Sequence, residues 1–190
     1  MKDVFKKHSE ELREVLGNLD DFHDQIAGVV VHLKEAFGKG KKVLIAGNGG
    51  SAAEAQHFSD EFVGRYKADR PAYPVVALTA DGAVLTCIGN DYGYEEMFAR
   101  QVRALGNEGD IFIGLTTSGT SKNILKAAEA AHDQGMTVVA MTGPRGTFAK
   151  MADHAIISPS ETGSRMQELH LHAIHLICEA FEPDASQGNN

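Results

Sequence analysis

The sequence predicts an α/β fold in which helices cover both faces of a five-stranded parallel sheet. Short runs of aliphatic and β-branched residues recur near residues 42–47, 75–79, 111–116, 137–142 and 154–158. Helical patterns separate them, near residues 51–64, 82–89, 94–105, 120–133 and 161–181. Apolar strands that alternate with helices are typical of parallel sheets buried on both faces. The length of 190 residues fits one domain with a sizeable core.

The first 40 residues precede the first strand and read as a helical pair. Apolar residues follow a 3.6-residue period through residues 3–37, with a break at Gly17-Asn18 and an end marked by Gly38 and Gly40. This pair either covers the sheet or packs against another subunit. Because its apolar stripe is large for one small sheet, we favour oligomerisation. We therefore divide the domain into oligomerising helices (1–40), an α/β core (41–182) and a frayed tail (183–190).

Composition excludes several classes of partner. The formal net charge is −8, which argues against non-specific binding to nucleic acid or to acidic membranes. Two cysteines make no disulfide framework, and the N-terminus is charged and polar rather than signal-like. No apolar run approaches the roughly 20 residues of a membrane span. We expect a cytoplasmic protein that acts on a small ligand.

A glycine-rich turn, Gly47-Asn48-Gly49-Gly50-Ser51, joins the first strand to a helix. Such a turn brings backbone N–H groups close to an anion, and the helix dipole favours negative charge there. With Ala52 it also matches the dinucleotide-binding fingerprint. That fingerprint requires an acidic residue about 20 residues further on, whereas the next strand ends only near Asp81. The turn is therefore interpreted as an anion site.

A second turn, Thr116 to Ser121, follows the strand near residues 111–115 and also opens a helix. The hydroxyls of Ser118, Thr120 and Ser121, with nearby N–H groups, would form a cup for one phosphate. Serine and threonine are also ordinary helix N-caps, so this turn alone leaves both interpretations open. Together, the two turns favour a phosphorylated ligand.

His57 and Glu61 lie four residues apart on the helix that follows the glycine turn, and so share one face. An imidazole and a carboxylate at this spacing can share a metal or transfer protons. The alternative is a solvated polar face, which is commoner for an isolated pair.

The last helix offers further candidate ligands. By spacing alone, Glu168, His172 and His175 share a face and are the first metal candidates. Gln167 and His175 lie eight residues apart, about 12 Å along the helix axis. Spacing does not decide between these sets. A third polar segment, Asn90 to Gly93, reads either as a loop that binds sugar hydroxyls or as a plain turn.

These segments together resemble the phosphoheptose isomerase family. The resemblance covers nearly the whole chain and is carried by these motifs: Gly47 to Ser51, His57-Phe58, Glu61, Gly64-Arg65-Tyr66, Gly89 to Gly93, Thr116 to Ser121, Arg165-x-Gln167-Glu168-x-His170 and His175. It implies a flavodoxin-like three-layer SIS (sugar isomerase) domain plus N-terminal helices, assembled as a homotetramer with active sites at subunit interfaces.

The resemblance also implies an activity, the isomerisation of D-sedoheptulose 7-phosphate to D-glycero-D-manno-heptose 7-phosphate through an enediol. This is the first step towards the ADP-heptose of bacterial lipopolysaccharide. It implies one zinc per subunit, and this set of ligands replaces the one preferred by spacing: His57, Glu61, Gln167 and His175. Glu61 and His175 would transfer protons, with their individual roles open.

The substrate-binding residues follow from the same resemblance. The phosphate would lie in the cup of Thr116, Thr117, Ser118 and Ser121. The sugar would be lined by Asn48, Gly49, Gly50, Ser51, Asn90 and Asp91, together with Glu61 and Gln167. Two positions depart from the family pattern, since Ser164 stands where some members carry Asp, and Thr120 where Asn is common.

Two alternative functions remain within the same fold. One is a non-catalytic SIS-domain adaptor or regulator, which need not keep the metal and acid–base residues. The other is an isomerase of a different phosphosugar, such as an amino sugar phosphate. Because His57, Glu61, Gln167 and His175 occur together, we favour the enzyme.

Overall fold

A single parallel sheet forms the centre of the protein. The computed structural model describes residues 1–183 and contains five strands: β1 (Val43–Gly47), β2 (Val75–Ala77), β3 (Ile111–Thr116), β4 (Thr137–Thr142) and β5 (His154–Ile157). Their order in the sheet is β2-β1-β3-β4-β5, with every pair parallel. Each strand lies within the range predicted for it, and the predicted fold class is confirmed.

Eight helices are described: α1 (Lys2–Leu16), α2 (Asp20–Gly38), α3 (Gly50–Val63), α4 (Gly82–Tyr92), α5 (Ala99–Leu105), α6 (Lys122–Asp133), α7 (Phe148–Met151) and α8 (Gly163–Glu179). The predicted helix over 94–105 is instead a 3-10 turn at Tyr94–Glu96 followed by α5. Helix α7 was not predicted because four residues are too few to show a period. Within residues 1–183, none of these helices is long and apolar enough to cross a membrane.

The strands bury side chains on both faces, which explains their continuous apolar sequences. Val43 and Ile45 pack in one core with α2, α3 and α8. Leu44 and Ala46, which point the opposite way, pack in a second core with α5, α6 and α7. Successive side chains of a strand alternate between faces, so each strand must be apolar at every position to fill both layers.

The two N-terminal helices differ in what they bury. Helix α2 covers the sheet and buries Phe22, Ile26, Val29 and Leu33 in the first core. Helix α1 has no buried residue, and three of its apolar side chains are 45–61% exposed: Val4, Phe5 and Leu16. The predicted tail lies outside the described residues from residue 184 onwards.

The sheet order places the two predicted anion turns side by side. Strand β1 pairs with β2 on one side and with β3 on the other, and Gly47 at its end is in register with Leu115. In open parallel sheets, ligands bind outside the carboxyl ends of the strands where the order reverses. The fold therefore directs a ligand to the ends of β1 and β3.

Candidate functional site

The glycine turn after β1 forms one wall of this region. Gly49 has a φ of +58°, a backbone conformation that glycine adopts without strain. A side chain at Gly50 would occupy the space of the Gln167 carboxamide, which lies directly against the turn. The turn therefore requires glycine both for its backbone path and for the close approach of α8.

Asn48 connects the glycine turn to the second predicted turn. Its amide Nδ2 donates to Asn123 Oδ1 at 3.0 Å, and Asn123 Nδ2 donates back to Asn48 Oδ1 at 2.8 Å. The Tyr94 hydroxyl donates to the same Asn48 oxygen at 2.6 Å. Neither Asn123 nor Tyr94 was predicted. The only sequence signal was that Asn123 lies in the first turn of α6, close to Ser121.

The hydroxyls after β3 converge as the phosphate interpretation requires. Thr116 Oγ1 lies 2.9 Å from Ser121 Oγ and 3.3 Å from Ser118 Oγ, and Thr120 Oγ1 donates to Ser118 Oγ at 3.2 Å. Ser121 occupies the N-cap position of α6, yet its side chain makes no capping hydrogen bond. The ordinary capping role therefore does not explain these hydroxyls, and a compact neutral cup stands at the start of α6.

Cavities adjoin both turns. One of about 310 Å³ lies beside the hydroxyl cup and is lined by Thr117, Ser118, Pro144, Arg145, Glu161 and Met166. Another of about 150 Å³ lies beside the glycine turn, lined by Gly47, Asn48, Gly49, Ala52, Thr79, Leu85, Tyr94, Met97 and Phe98. The turns are thus open to small ligands.

His57, Glu61 and His175 come together between α3 and α8. His57 Nε2 lies 3.0 Å from His175 Nε2 and 3.5 Å from Glu61 Oε1. One donor atom from each of the three residues lies within 4.8 Å of the others. The other ring nitrogen of His57 lies 3.3 Å from Asp60 Oδ1, which orients Nε2 towards the cluster.

This cluster fits a metal ion of the zinc type. Two imidazole nitrogens and a carboxylate are common zinc ligands, and tetrahedral bonds of about 2.0–2.1 Å separate ligand atoms by roughly 3.3–3.4 Å. The observed separations of 3.0 and 3.5 Å bracket that value. The three residues are half-buried, so the cluster is screened from bulk water yet reachable.

The other candidates on α8 are Gln167, Glu168 and His172. Gln167 is placed against Gly50 at the beginning of α3. The Glu168 carboxylate accepts a hydrogen bond of 2.8 Å from Arg165, and the His172 ring faces His23 at 6.4 Å between centroids. Among residues 1–183, neither Glu168 nor His172 joins the histidine–carboxylate cluster. The ligand set preferred by spacing on one helix is therefore not assembled.

The third polar segment is partly helical, so its prediction as a loop was wrong. Asn90 and Asp91 lie in the last turn of α4, exposed, with Asn90 Nδ2 donating to Asp91 Oδ1 at 2.7 Å. Helix α4 continues to Tyr92 and ends at Gly93, whose φ of +88° cannot extend a right-handed helix. The residue from this region that reaches the glycine turn is Tyr94.

Comparison with known proteins gives a consistent result. The SIS domain family model matches residues 7–143. A phosphoheptose isomerase of Helicobacter pylori (strain P12) is 46% identical over 179 residues, 94% of this chain and 92% of that protein. One from Aneurinibacillus thermoaerophilus is 45% identical over 186 residues, covering 96% and 94%. The structure of a phosphoheptose isomerase from Francisella tularensis matches with a TM-score of 0.90 at 37% identity, covering 94% and 96% of the two chains.

Proposed function

Because the chain belongs to the phosphoheptose isomerases, enzymes of the SIS domain family, we propose that it interconverts D-sedoheptulose 7-phosphate and D-glycero-D-manno-heptose 7-phosphate. The observation that carries this proposal is the cluster of His57 and Glu61, on the helix that begins at the glycine turn, with His175 of α8. That turn is tied through Asn48 and Asn123 to the hydroxyl cup. A proton-transfer group thus lies on the same helix as a predicted anion site.

The reaction moves a proton between adjacent carbons of the sugar. One base removes the carbon-bound proton and returns it to the neighbouring carbon of a cis-enediol, while an acid serves the two oxygens. We assign Glu61 as the carbon base and His175 as its partner on the opposite side. The Glu61 side chain is 17% exposed, so it is largely shielded from water that would compete for the proton.

The hydroxyl cup would bind the phosphate at the far end of the sugar. Thr116, Ser118 and Ser121 supply hydroxyls, and the N-terminus of α6 supplies backbone N–H groups and a favourable dipole. Binding energy from this non-reacting group holds the sugar in place while the proton moves at its other end. The neutral cup accommodates a dianion despite the protein's overall negative charge, because local donors determine its affinity.

We also propose one zinc ion per subunit, held by His57, Glu61, His175 and the carboxamide of Gln167. A zinc ion there would polarise the carbonyl oxygen as a Lewis acid. The fit of the three clustered donors supports this assignment. A carboxylate that is tightly bound to a metal is a poor base, so Glu61 is expected to coordinate weakly during turnover.

The assembly is proposed to be a homotetramer with active sites at subunit interfaces. The exposed apolar side chains of α1 support an interface, because no described residue of this chain buries them. An apolar groove of about 390 Å³ between α2 and α8 also supports an interface. Light scattering coupled to gel filtration measures the mass. A monomer at micromolar concentration would contradict both the assembly and the placement of active sites at subunit interfaces.

We place the reaction in the cytoplasm, at the start of ADP-heptose synthesis for lipopolysaccharide.

The test of the proposed reaction is an NMR assay with sedoheptulose 7-phosphate. Glu61→Gln keeps the shape of the side chain and removes the base, so we expect turnover to fall by about 10²-fold or more. Glu129→Gln, on an exposed position of α6, is the matched control and should leave turnover unchanged. Normal turnover of the Glu61→Gln protein would remove Glu61 from the mechanism.

A further inference from the structure

A buried carboxyl–imidazole pair between α3 and α8 takes no part in the chemistry described above. The Glu54 side chain is 11% exposed and the His170 side chain is fully buried, with Glu54 Oε2 lying 4.0 Å from His170 Nδ1. Within residues 1–183, neither that oxygen nor either ring nitrogen has a hydrogen-bond partner. Buried polar groups are nearly always paired, so two unpaired groups facing each other beside an active site call for a function.

Burial shifts both groups towards their neutral forms. It raises the pKa of Glu54 to about 7, against an opposing effect of hydrogen bonding with the Ser51 side chain. It lowers the pKa of His170 to about 4, against an opposing effect of the Thr142 backbone. At neutral pH the imidazole is therefore uncharged, and at 4.0 Å the two groups pack against each other without forming an ion pair or a hydrogen bond.

Glu54 and His170 each lie on the same helix as a side chain at the glycine turn. Ser51 lies one helical turn before Glu54, in the first turn of α3, and is 4% exposed. On the other helix, His170 lies one turn after Gln167, whose carboxamide packs against Gly50. Each member of the pair thus lies one helical turn from a side chain at the glycine turn.

We propose that Glu54 and His170 are positioning residues that, across the α3–α8 interface, orient the Ser51 hydroxyl to accept a hydrogen bond from the sugar of the substrate. Ser51 has one hydroxyl proton. When it donates that proton to the Glu54 carboxyl group, its lone pairs face the ligand. His170 packs against the carboxyl group and holds it in place. This inference rests on the proposed function, because it needs a sugar at the glycine turn.

The test is a double-mutant cycle of Ser51→Ala and Glu54→Gln, measured with sedoheptulose 7-phosphate. The side-chain amide that Glu54→Gln introduces would donate to Ser51 and reverse its hydrogen bond, so this change should raise KM about 5-fold and alter kcat less than about 2-fold. In the Ser51→Ala background, the same change should alter KM less than about 2-fold, because the group it acts through is gone. If Glu54→Gln raised KM by the same factor in both backgrounds, the proposal would be overturned, since a merely structural effect is independent of Ser51.

A second readout does not depend on turnover. In protein labelled with ¹⁵N-histidine, Glu54→Gln should shift the ring-nitrogen signals of His170, whereas the exposed control Glu129→Gln should not. Unchanged His170 signals would show that the pair does not exist. If the wild type converts no heptose phosphate, the proposed function fails while the His170 signals still decide on the pair. Should Glu54→Gln not fold, His170→Gln replaces it in the cycle with the same expected dependence on Ser51.

Discussion

Replacing Gly146 by alanine tests how the hydroxyl cup is supported. Gly146 lies in the loop between β4 and α7, which packs on the turn of the cup: Thr147 and Phe148 donate backbone hydrogen bonds of 3.0 and 3.1 Å to the Gly119 carbonyl. Gly146 has a φ of +90°. A Cβ there would lie 2.5 Å from the Gly119 carbonyl carbon and oxygen and 2.6 Å from Ser118 O. These are backbone atoms of the cup and have no rotamer by which to move aside.

The cost of this substitution has two parts. A left-handed backbone costs alanine about 1–2 kcal/mol relative to glycine. Forcing the loop and the turn apart costs about 1–3 kcal/mol more, as in other overpacked sites. Gly40→Ala isolates the first part, because Gly40 has a φ of +70° and a Cβ there would meet no heavy atom within 4 Å. We therefore expect Gly146→Ala to be less stable than Gly40→Ala by about 1–3 kcal/mol.

Urea unfolding at one fixed protein concentration measures both variants against the wild type. Because the overlap pushes on Ser118 and Gly119, we also expect Gly146→Ala to raise KM for the phosphosugar, while Gly40→Ala leaves KM unchanged. Equal unfolding free energies for the two variants would show that the loop at Gly146 does not press on the turn of the cup.

Three further predictions concern single side chains. Burial alone would raise the pKa of Asp110, but hydrogen bonds from Lys42 and from the Asn107 backbone outweigh it and lower that pKa below its ordinary value of 3.8. The carboxylate therefore stabilises the fold fully above about pH 4, and loses this contribution as pH falls through the folded-state pKa. Asp110→Asn should lower the free energy of unfolding by about 3–5 kcal/mol at pH 7 and should weaken the decrease of that free energy at acid pH, both measured by urea unfolding across pH. An unchanged decrease at acid pH would contradict this. Ser121→Ala should raise KM about 10-fold with little loss of thermal stability, because its hydroxyl does not cap α6; a stability loss without a KM change would restore the capping role. Tyr94→Phe should raise KM about 2–10-fold in the same assay through loss of its hydrogen bond to Asn48, and an unaltered KM would place Tyr94 outside the site.

The sequence predicted the sheet well because each strand carries a strong local signal. All five strands are short apolar runs bounded by turns or charged residues, and both anion turns follow directly from them. The break near Met97 and the extension of α4 to Tyr92 were missed. The sequence alone does not show that the helix ends at Gly93, because that depends on the positive φ of this glycine. Asn90-Asp91 is equally compatible with a turn.

The candidate site could be predicted only in part, because its key contacts join distant elements. Spacing on α8 favoured Glu168 and His172, but a helix face does not reveal which of its residues meets α3. His57 and His175 are 118 positions apart and still lie 3.0 Å from each other. Asn123 was missed for the same reason, since its partner Asn48 lies 75 positions away on a neighbouring strand end. Burial of Glu54 and His170 likewise depends on the packing of two helices.

We propose that the cluster on α3 and α8 isomerises a phosphorylated heptose with the help of a bound metal. The most direct test follows sedoheptulose 7-phosphate by NMR with the purified protein, then after chelation, and again after zinc is restored. We predict that the aldoheptose 7-phosphate forms, that its formation falls on chelation, and that it returns with zinc. Turnover that is indifferent to the metal would remove zinc from the account. If no aldose forms in any state, with the protein folded and its assembly intact, the cluster does not catalyse this isomerisation.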